Sequence, residues 1–428
     1  MRLFIRSFVF AVVMTSLPIA RGADSGSIAL PLDPDQHKLI ETDRPDGRYL
    51  ATRGFVQSLM RNARPKLTFD SSFSAAEFAR WKAQVRAKMI ELIRFPEVAS
   101  CPKPKLLSRV PRTGYSIEKW EIYPLPGWAV RFLVLVPNSA SSRTPAPAIV
   151  CFPGSARSKE SLAGEPELNP KFAYPPHANE CRMAYDYAQQ GIVAVALDNP
   201  GIAEMSDIGT YVVPGGDRTT FSRYLIDLGW SYLGCSAFVG KQVLGWLRSQ
   251  DFVDRERIAL SGQSLGTEPV IALAVIDPKI CAVVFNDFLC PNILRATVST
   301  KPTAAGVRPQ ANDLTHCIPG MWEWFDYPDL MASVAPTPLL FTEGGVTNEL
   351  DRVRAAYRIT NAPEMLEIHY YSKYRNPQSR RDGVKIPEGL DAEEWYRYAN
   401  VDPPNHYFHG DIAVPWLTRV IRSPKANH

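Results

Sequence analysis

The 428-residue sequence predicts an α/β fold, in which helices wrap a mostly parallel sheet and a helical extension precedes it. Three observations lead to this fold. From about residue 184, apolar runs of strand length alternate with helical patterns. Strand-like runs without intervening helices come first, between residues 117 and 152. A strand, a sharp turn bounded by glycines and a helix follow one another around residue 264. Ligands of such folds gather at the carboxyl ends of the strands, where we expect the functional site.

The first 22 residues are typical of a secretory signal. Arg2 and Arg6 precede an apolar run from Phe8 to Ala20, and Ala20 and Gly22 are small residues suited to cleavage. The run is too short to cross a bilayer stably. We therefore expect a secreted or periplasmic protein without membrane attachment after the signal is removed. Removal takes three arginines from a formal charge of +4 and leaves about +1, which does not suggest nucleic acid as a partner.

The remaining chain divides into two predicted regions. Residues 23–115 form an N-terminal arm and helical extension, and residues 116–425 form the catalytic domain. In the extension, apolar residues at 78, 81, 85, 89 and 92 have nearly helical spacing, which predicts an amphipathic helix over 75–95. Predicted strands of the domain are 120–123, 128–136, 148–152, 192–197, 257–260, 281–285, 338–342 and 366–371. Predicted helices are 224–249, 267–276 and 411–422.

Ser264 is the candidate nucleophile. It is the central residue of a G-x-S-x-G sequence from Gly262 to Gly266, between a predicted strand and a predicted helix. This context is that of a nucleophile elbow, a strained turn that exposes the serine hydroxyl above the sheet. The residues two before and two after the serine must be small, and both are glycine. A serine is a weak nucleophile at neutral pH, so it needs a base and an acid that orients the base.

His406 is the best placed base. In this kind of fold the order along the chain is serine, acid, histidine. His406 follows the last predicted strand and precedes the closing helix. His409, three residues further along, is the alternative. His369 falls within a predicted strand and is expected to be structural, and His428 is terminal.

The acid stays open between two carboxylates. Asp287 follows the predicted strand 281–285, and Glu343 follows the predicted strand 338–342. Asp351 is a third possibility further along the chain. An acid at a strand end is often only a helix cap, so position alone does not decide among them.

The oxyanion hole needs two backbone N–H groups. Leu265, directly after the nucleophile, should supply one. The turn after the predicted strand 148–152 should supply the other, from Ser155 or Ala156, because Gly154 lets the backbone approach closely.

Several ordered segments carry a family resemblance: 152–155 with 159–160, 197–201 with Glu204, 261–269, 285–288, 318–320, 335–338, 342–345, 405–408 and 415–417. Together they resemble the exported acetyl xylan esterase-like branch of the α/β-hydrolase superfamily, which is related to dienelactone hydrolases. The resemblance covers roughly residues 75–425 and implies an α/β-hydrolase fold. Glucuronoyl esterases, similar in fold, place an acid at the end of the strand that corresponds to 281–285. Their arginine after the nucleophile is absent here, where position 265 is leucine.

We therefore expect an exported serine carboxylesterase that hydrolyses ester groups, acetyl first, on polysaccharide through a Ser-His-acid triad. One alternative is a glucuronoyl esterase or exported serine peptidase using the same residues. The other is an inactive hydrolase fold that binds carbohydrate. Seven cysteines are present without a C-x-x-C pair, and H-E-x-x-H is absent, so neither metal nor cofactor is expected. The sequence leaves the oligomeric state open.

Overall fold

The computed structural model describes residues 44–98, 102–155, 157–169, 181–206, 218–301, 313–382 and 385–422. The signal segment 1–22 and Ala156 lie outside these residues. The strands are β1 Lys105–Arg112, β2 Tyr115–Leu125, β3 Trp128–Pro137, β4 Ala146–Phe152, β5 Val193–Ala196, β6 Val253–Gln263, β7 Val283–Asn286, β8 Leu339–Phe341 and β9 Leu366–Ile368. The helices are α1 Thr52–Asn62, α2 Ala75–Ile93, α3 Lys159–Leu162, α4 Met183–Ala188, α5 Arg218–Asp227, α6 Tyr232–Ser249, α7 Thr267–Ile276, α8 Asn292–Val298, α9 Tyr327–Val334, α10 Thr347–Ile359, α11 Ala392–Tyr398 and α12 Gly410–Arg422.

Nine strands of the described chain form one sheet in the order β1-β2-β3-β5-β4-β6-β7-β8-β9. The pairs β1–β2, β2–β3 and β3–β5 are antiparallel, and every other neighbouring pair is parallel. This confirms the prediction that the sheet starts with antiparallel strands and is otherwise parallel. The parallel strands β4, β6, β7 and β8 therefore end at the same edge of the sheet.

Apolar residues cover both faces of the sheet. Successive side chains of a strand point to opposite faces. Val150 of β4 accordingly packs in a core with α2, α6, α7, α9 and α10, whereas Ile149 packs in a second core with α4 and α12. Strands buried on both faces read as apolar runs rather than as alternating patterns, which is why the central strands could be located in the sequence.

The extension docks on the domain through α2. Phe78, Trp81, Val85 and Met89 are buried as predicted, and the stripe ends on Ile93 rather than on residue 92. The helix begins with a capping box, in which the Ser74 side chain accepts from a backbone N–H of the first turn.

Two differences from the sequence prediction have a local explanation, and several helices, among them α1, α9 and α11, were also not predicted. The predicted helix 224–249 is two helices, α5 and α6, because Gly229 has a φ of 78° and the Ser231 hydroxyl accepts from Gly234 N–H at 3.0 Å to cap α6. The edge strand β1 was not predicted, since it is exposed along nearly its whole length and has no burial pattern. Within the described residues, no helix combines the length and apolar character needed to cross a membrane.

Candidate active site

Ser264 lies in a strained turn between β6 and α7. Its φ is 52°, in the left-handed region that a non-glycine residue seldom adopts. Its neighbours on both sides, Gln263 and Leu265, are buried, whereas Ser264 is partly exposed. Such strain persists only where the surrounding structure imposes it, and it is commonly found at functional positions.

The two glycines of the turn are required by close backbone contacts. A Cβ on Gly262 would lie 2.4 Å from the carbonyl oxygen of Gly266, and a Cβ on Gly266 would lie 2.3 Å from that of Phe152. Neither position therefore accepts a side chain without moving backbone. This is the physical origin of the glycine spacing around Ser264.

The candidate base and both candidate acids at strand ends form one cluster. The ligating atoms of Asp287, Glu343 and His406 all lie within 4.8 Å of one another. Nδ1 of His406 is 2.7 Å from a carboxylate oxygen of Glu343. Such a set of groups could also ligate a cation, but the bond between His406 and Glu343 is the arrangement of an acid that orients a base.

Glu343 is fully buried and surrounded by donors. Besides His406, it accepts a hydrogen bond from the Tyr371 hydroxyl at 2.6 Å and one from the Asn286 amide at 3.1 Å, and Nε2 of His409 lies 3.3 Å away. Burial alone would raise the pKa of Glu343, but these partners, led by His406, lower it below its ordinary value. The carboxylate is therefore held ionised.

His406 is correspondingly a strong base. Burial acts to lower its pKa, but Glu343 and then Asp287 raise it to about 9. Because Nδ1 contacts Glu343, Nε2 is the nitrogen left to exchange a proton.

Asp287 lies beside this pair without taking the Nδ1 position. One of its oxygens accepts from its neighbour's backbone N–H, that of Phe288, at 2.8 Å, and the other is 3.5 Å from the Thr267 hydroxyl. Burial raises its pKa to about 6, against the opposing effect of His406. The hydrogen bonding thus favours Glu343 over Asp287 as the orienting acid. Asp351, the third possibility, pairs with Arg354 on an exposed part of α10.

Register brings the serine to the same edge as this cluster. Gln263 pairs with Asn286 at the ends of β6 and β7. The buried Asn286 amide also donates to the carbonyl of Tyr407 at 2.8 Å, and its oxygen accepts from the backbone N–H of His409 at 2.7 Å. One asparagine thus joins the β7 end to the loop that carries His406. The sequence placed Asn286 at a strand end, but its cross-linking role could not be inferred without the tertiary contacts.

The other histidine candidates are not as close to Glu343 as His406 is. His409 shares Glu343 with His406, and its ring packs against Tyr371 and Tyr407. His369 follows β9 and bonds Glu367, which fits the structural role expected of it.

The predicted oxyanion donors lie on two adjoining segments. Leu265 is buried directly after Ser264, and Ser155 is partly buried in the loop after β4. The alternative donor, Ala156, falls outside the described residues. A Cβ on Gly154 would lie 2.1 Å from the side-chain oxygen of Gln263, so this loop packs tightly against the end of β6.

A strained serine beyond a parallel strand, at the edge that holds a histidine–carboxylate pair, defines an α/β-hydrolase fold. The chain belongs to the abhydrolase family, whose model matches residues 31–419. It is similar to a candidate acetyl xylan esterase from Bacteroides fragilis, with 43% identity over 90% of this chain and 98% of that chain, at a TM-score of 0.85. This similarity places it in the acetyl xylan esterase-like branch, as the resemblance implied.

Two further solved structures are more distant. A methylesterase is 18% identical over 78% of this chain and 65% of its own, with a TM-score of 0.49. A glucuronoyl esterase from Solibacter usitatus is 14% identical over 69% of this chain and 85% of its own, with a TM-score of 0.48. No curated protein matches the chain.

Proposed function

We propose that the protein is an exported serine carboxylesterase that removes ester groups, acetyl first, from polysaccharide. The observation that carries the proposal is the strained Ser264 at the sheet edge where Nδ1 of His406 lies 2.7 Å from Glu343. The acetyl xylan esterase-like relative at 43% identity supports acetyl as the first acyl group to test. Export rests on the signal-like segment 1–22.

The reaction begins when the Ser264 hydroxyl oxygen attacks the ester carbonyl. His406 takes the hydroxyl proton on Nε2, and Glu343 stabilises the resulting imidazolium. The N–H groups of Leu265 and of Ser155 or Ala156 bind the developing oxyanion. The sugar oxygen leaves with the proton from His406, and an acyl-enzyme remains on Ser264. Water, deprotonated by the same imidazole, then attacks the acyl carbon; the bond to the Ser264 oxygen breaks, that oxygen takes the proton back from His406, and the carboxylic acid product leaves.

The test is release of acetate from acetylated xylan, together with hydrolysis of p-nitrophenyl acetate. We expect Ser264→Ala and His406→Ala to lose both activities, since loss of a triad nucleophile or base costs on the order of 10⁶ in kcat. Ser139→Ala, at an exposed position after β3, is the matched control and should keep full activity.

Other outcomes would redirect the assignment. Turnover of a methyl-glucuronate ester or an aminoacyl substrate, without acetate release, would support the glucuronoyl esterase or peptidase. Absence of turnover on every ester, with retained binding of xylan, would support a carbohydrate-binding role. Full activity of Ser264→Ala would rule out the mechanism.

A further inference from the structure

Two consecutive residues after β5 hold the loop that follows β4. The side-chain amide of Asn199 donates to the carbonyl oxygens of Pro153 at 2.8 Å and Gly154 at 3.2 Å. Asp198 accepts from the backbone N–H of Lys159 at 2.7 Å, and its second oxygen lies 2.7 Å from Nζ of the same lysine. We call Asp198 and Asn199 the loop clamp, because they grip both ends of the loop 153–159.

The contact with Asn199 fixes the direction of two peptide planes. In a trans peptide the C=O of one residue and the N–H of the next point in opposite directions. The carbonyls of Pro153 and Gly154 both point toward one nitrogen, so the N–H groups of Gly154 and Ser155 both point away from it. Within the described residues, neither N–H donates to a backbone carbonyl. Successive N–H groups on one side of a turn form a concavity suited to an anion.

The clamp is itself rigidly held. Asn199 is 1% exposed, Asp198 is 4% exposed, and Lys159 is completely buried. Nζ of Lys159 also lies 2.8 Å from Glu160 and 2.7 Å from Glu204, so three carboxylates surround it. Burial acts to lower the pKa of Lys159, but these carboxylates outweigh it and raise the pKa above its usual value. The lysine therefore stays charged and anchors the far end of the loop.

The clamp also connects to the other predicted oxyanion donor. The Tyr232 hydroxyl of α6 donates to the carbonyl of Pro200 at 2.7 Å, directly after the clamp. Tyr232 packs in the same apolar cluster as Leu265. Tyr232 thus lies between the segment that carries the clamp and the cluster that contains Leu265.

We propose that Asn199 is a positioning residue of the oxyanion hole, which aims the N–H of Ser155 at the substrate carbonyl oxygen. This inference rests on the proposed esterase function. Asn199 touches neither the substrate nor the reacting atoms. It acts by holding the peptide plane between Gly154 and Ser155, while Asp198 holds Lys159 at the far end of the loop.

The test compares Asn199→Ser and Asn199→Asp with the matched control Asn169→Ser. Asn169 is also a buried asparagine, and its amide nitrogen has no partner in the described structure. Loss of one oxyanion donor lowers kcat by about 10²–10³. A misdirected donor should lower kcat for p-nitrophenyl acetate by about tenfold to a hundredfold, with KM changed less than about twofold. The control should keep its kcat.

A second readout separates positioning from a merely structural role. A trifluoromethyl ketone adds to the serine as a tetrahedral oxyanion, so its inhibition constant should rise by the same factor as kcat falls. The acid limb of the pH profile, which reports His406, should stay in place. Rates are expressed per active site titrated with a fluorophosphonate, which removes any loss of folded protein.

The outcomes are distinct. Unchanged kcat and inhibitor affinity per active site in both Asn199 variants would overturn the inference while leaving the esterase intact. If instead the wild type has no esterase activity, or Ser264→Ala keeps it, the proposed function itself fails. A displaced acid limb in the Asn199 variants would assign the effect to the triad and also overturn the inference.

Discussion

Glu343→Gln should change the basicity of His406 more than any other single substitution near it. Glu343 is the largest influence that raises the pKa of His406 from 6.5 to about 9. That difference corresponds to roughly 3 kcal/mol of preference for the protonated imidazole, at about 1.4 kcal/mol per pKa unit. Without the Glu343 charge, only Asp287 opposes the effect of burial on His406. The pKa of His406 should therefore fall toward 6.5 or below it.

The assay is the pH profile of kcat/KM for p-nitrophenyl acetate. The base must be neutral to accept a proton, so wild-type activity should rise through about pH 9. In Glu343→Gln the acid limb should move down by about two pH units or more. The plateau should fall on the order of 10⁴, because the imidazole loses the partner that fixes its tautomer.

Stability gives an independent readout of the same perturbation. A histidine whose pKa is raised on folding contributes stability that is complete below pH 6.5 and is lost as the pH rises through about 9. Wild-type stability in urea should fall across that window. Glu343→Gln should be less stable overall and should lose most of this pH dependence.

Asp287→Asn is the matched comparison. It removes the carboxylate that raises the pKa of His406 less, and it leaves the contact between His406 and Glu343 intact. Its acid limb should move less, and its plateau should stay well above that of Glu343→Gln. The reverse result would refute the assignment of Glu343 as the orienting acid. In that case the plateau of kcat/KM would fall on the order of 10⁴ in Asp287→Asn and would hardly change in Glu343→Gln.

Three further predictions follow from the same structure. Gly266→Ala places a Cβ 2.3 Å from the Phe152 carbonyl and should lower both the melting temperature and kcat, whereas Gly245→Ala, with nothing within 4 Å, should stabilise α6 by about 0.5–1 kcal/mol. Lys159→Met leaves three carboxylates without their buried cation and should cost about 3–5 kcal/mol in urea unfolding at neutral pH, with a smaller loss at acidic pH, where the acids protonate. Tyr371→Phe removes a hydrogen bond to the buried carboxylate and should cost about 1.5–3 kcal/mol, while the acid limb of kcat/KM moves upward because the carboxylate charge is less dispersed.

The sequence was most informative where a structural requirement is local. Gly262 contacts the backbone of its own turn, Gly266 contacts the backbone of the neighbouring strand β4, and helix α7 has the predicted bounds 267–276. The helical spacing of apolar residues over 75–95 also located α2. Edge strand β1 escaped prediction because it packs on neither core, so no apolar pattern marks it.

The acid could not be chosen from the sequence, for a physical reason. Asp287 and Glu343 both follow a buried parallel strand, and β7 and β8 are neighbours in the sheet. The distinction lies in the donors that converge on Glu343 from Tyr371, Asn286 and the loop before α12, and these are distant in the sequence. Asn199 was hidden for the same reason, since its partners lie about 45 residues earlier.

The most direct measurement for the central claim is to trap the acyl-enzyme. The purified protein would be mixed with a slowly hydrolysed aryl ester, quenched in acid and digested, and the peptide that contains Ser264 would be examined by mass spectrometry. One acyl group per protein is expected on Ser264, formed in a burst that His406→Ala abolishes. Full ester turnover without modification of Ser264, or an acyl group on another residue, would contradict it.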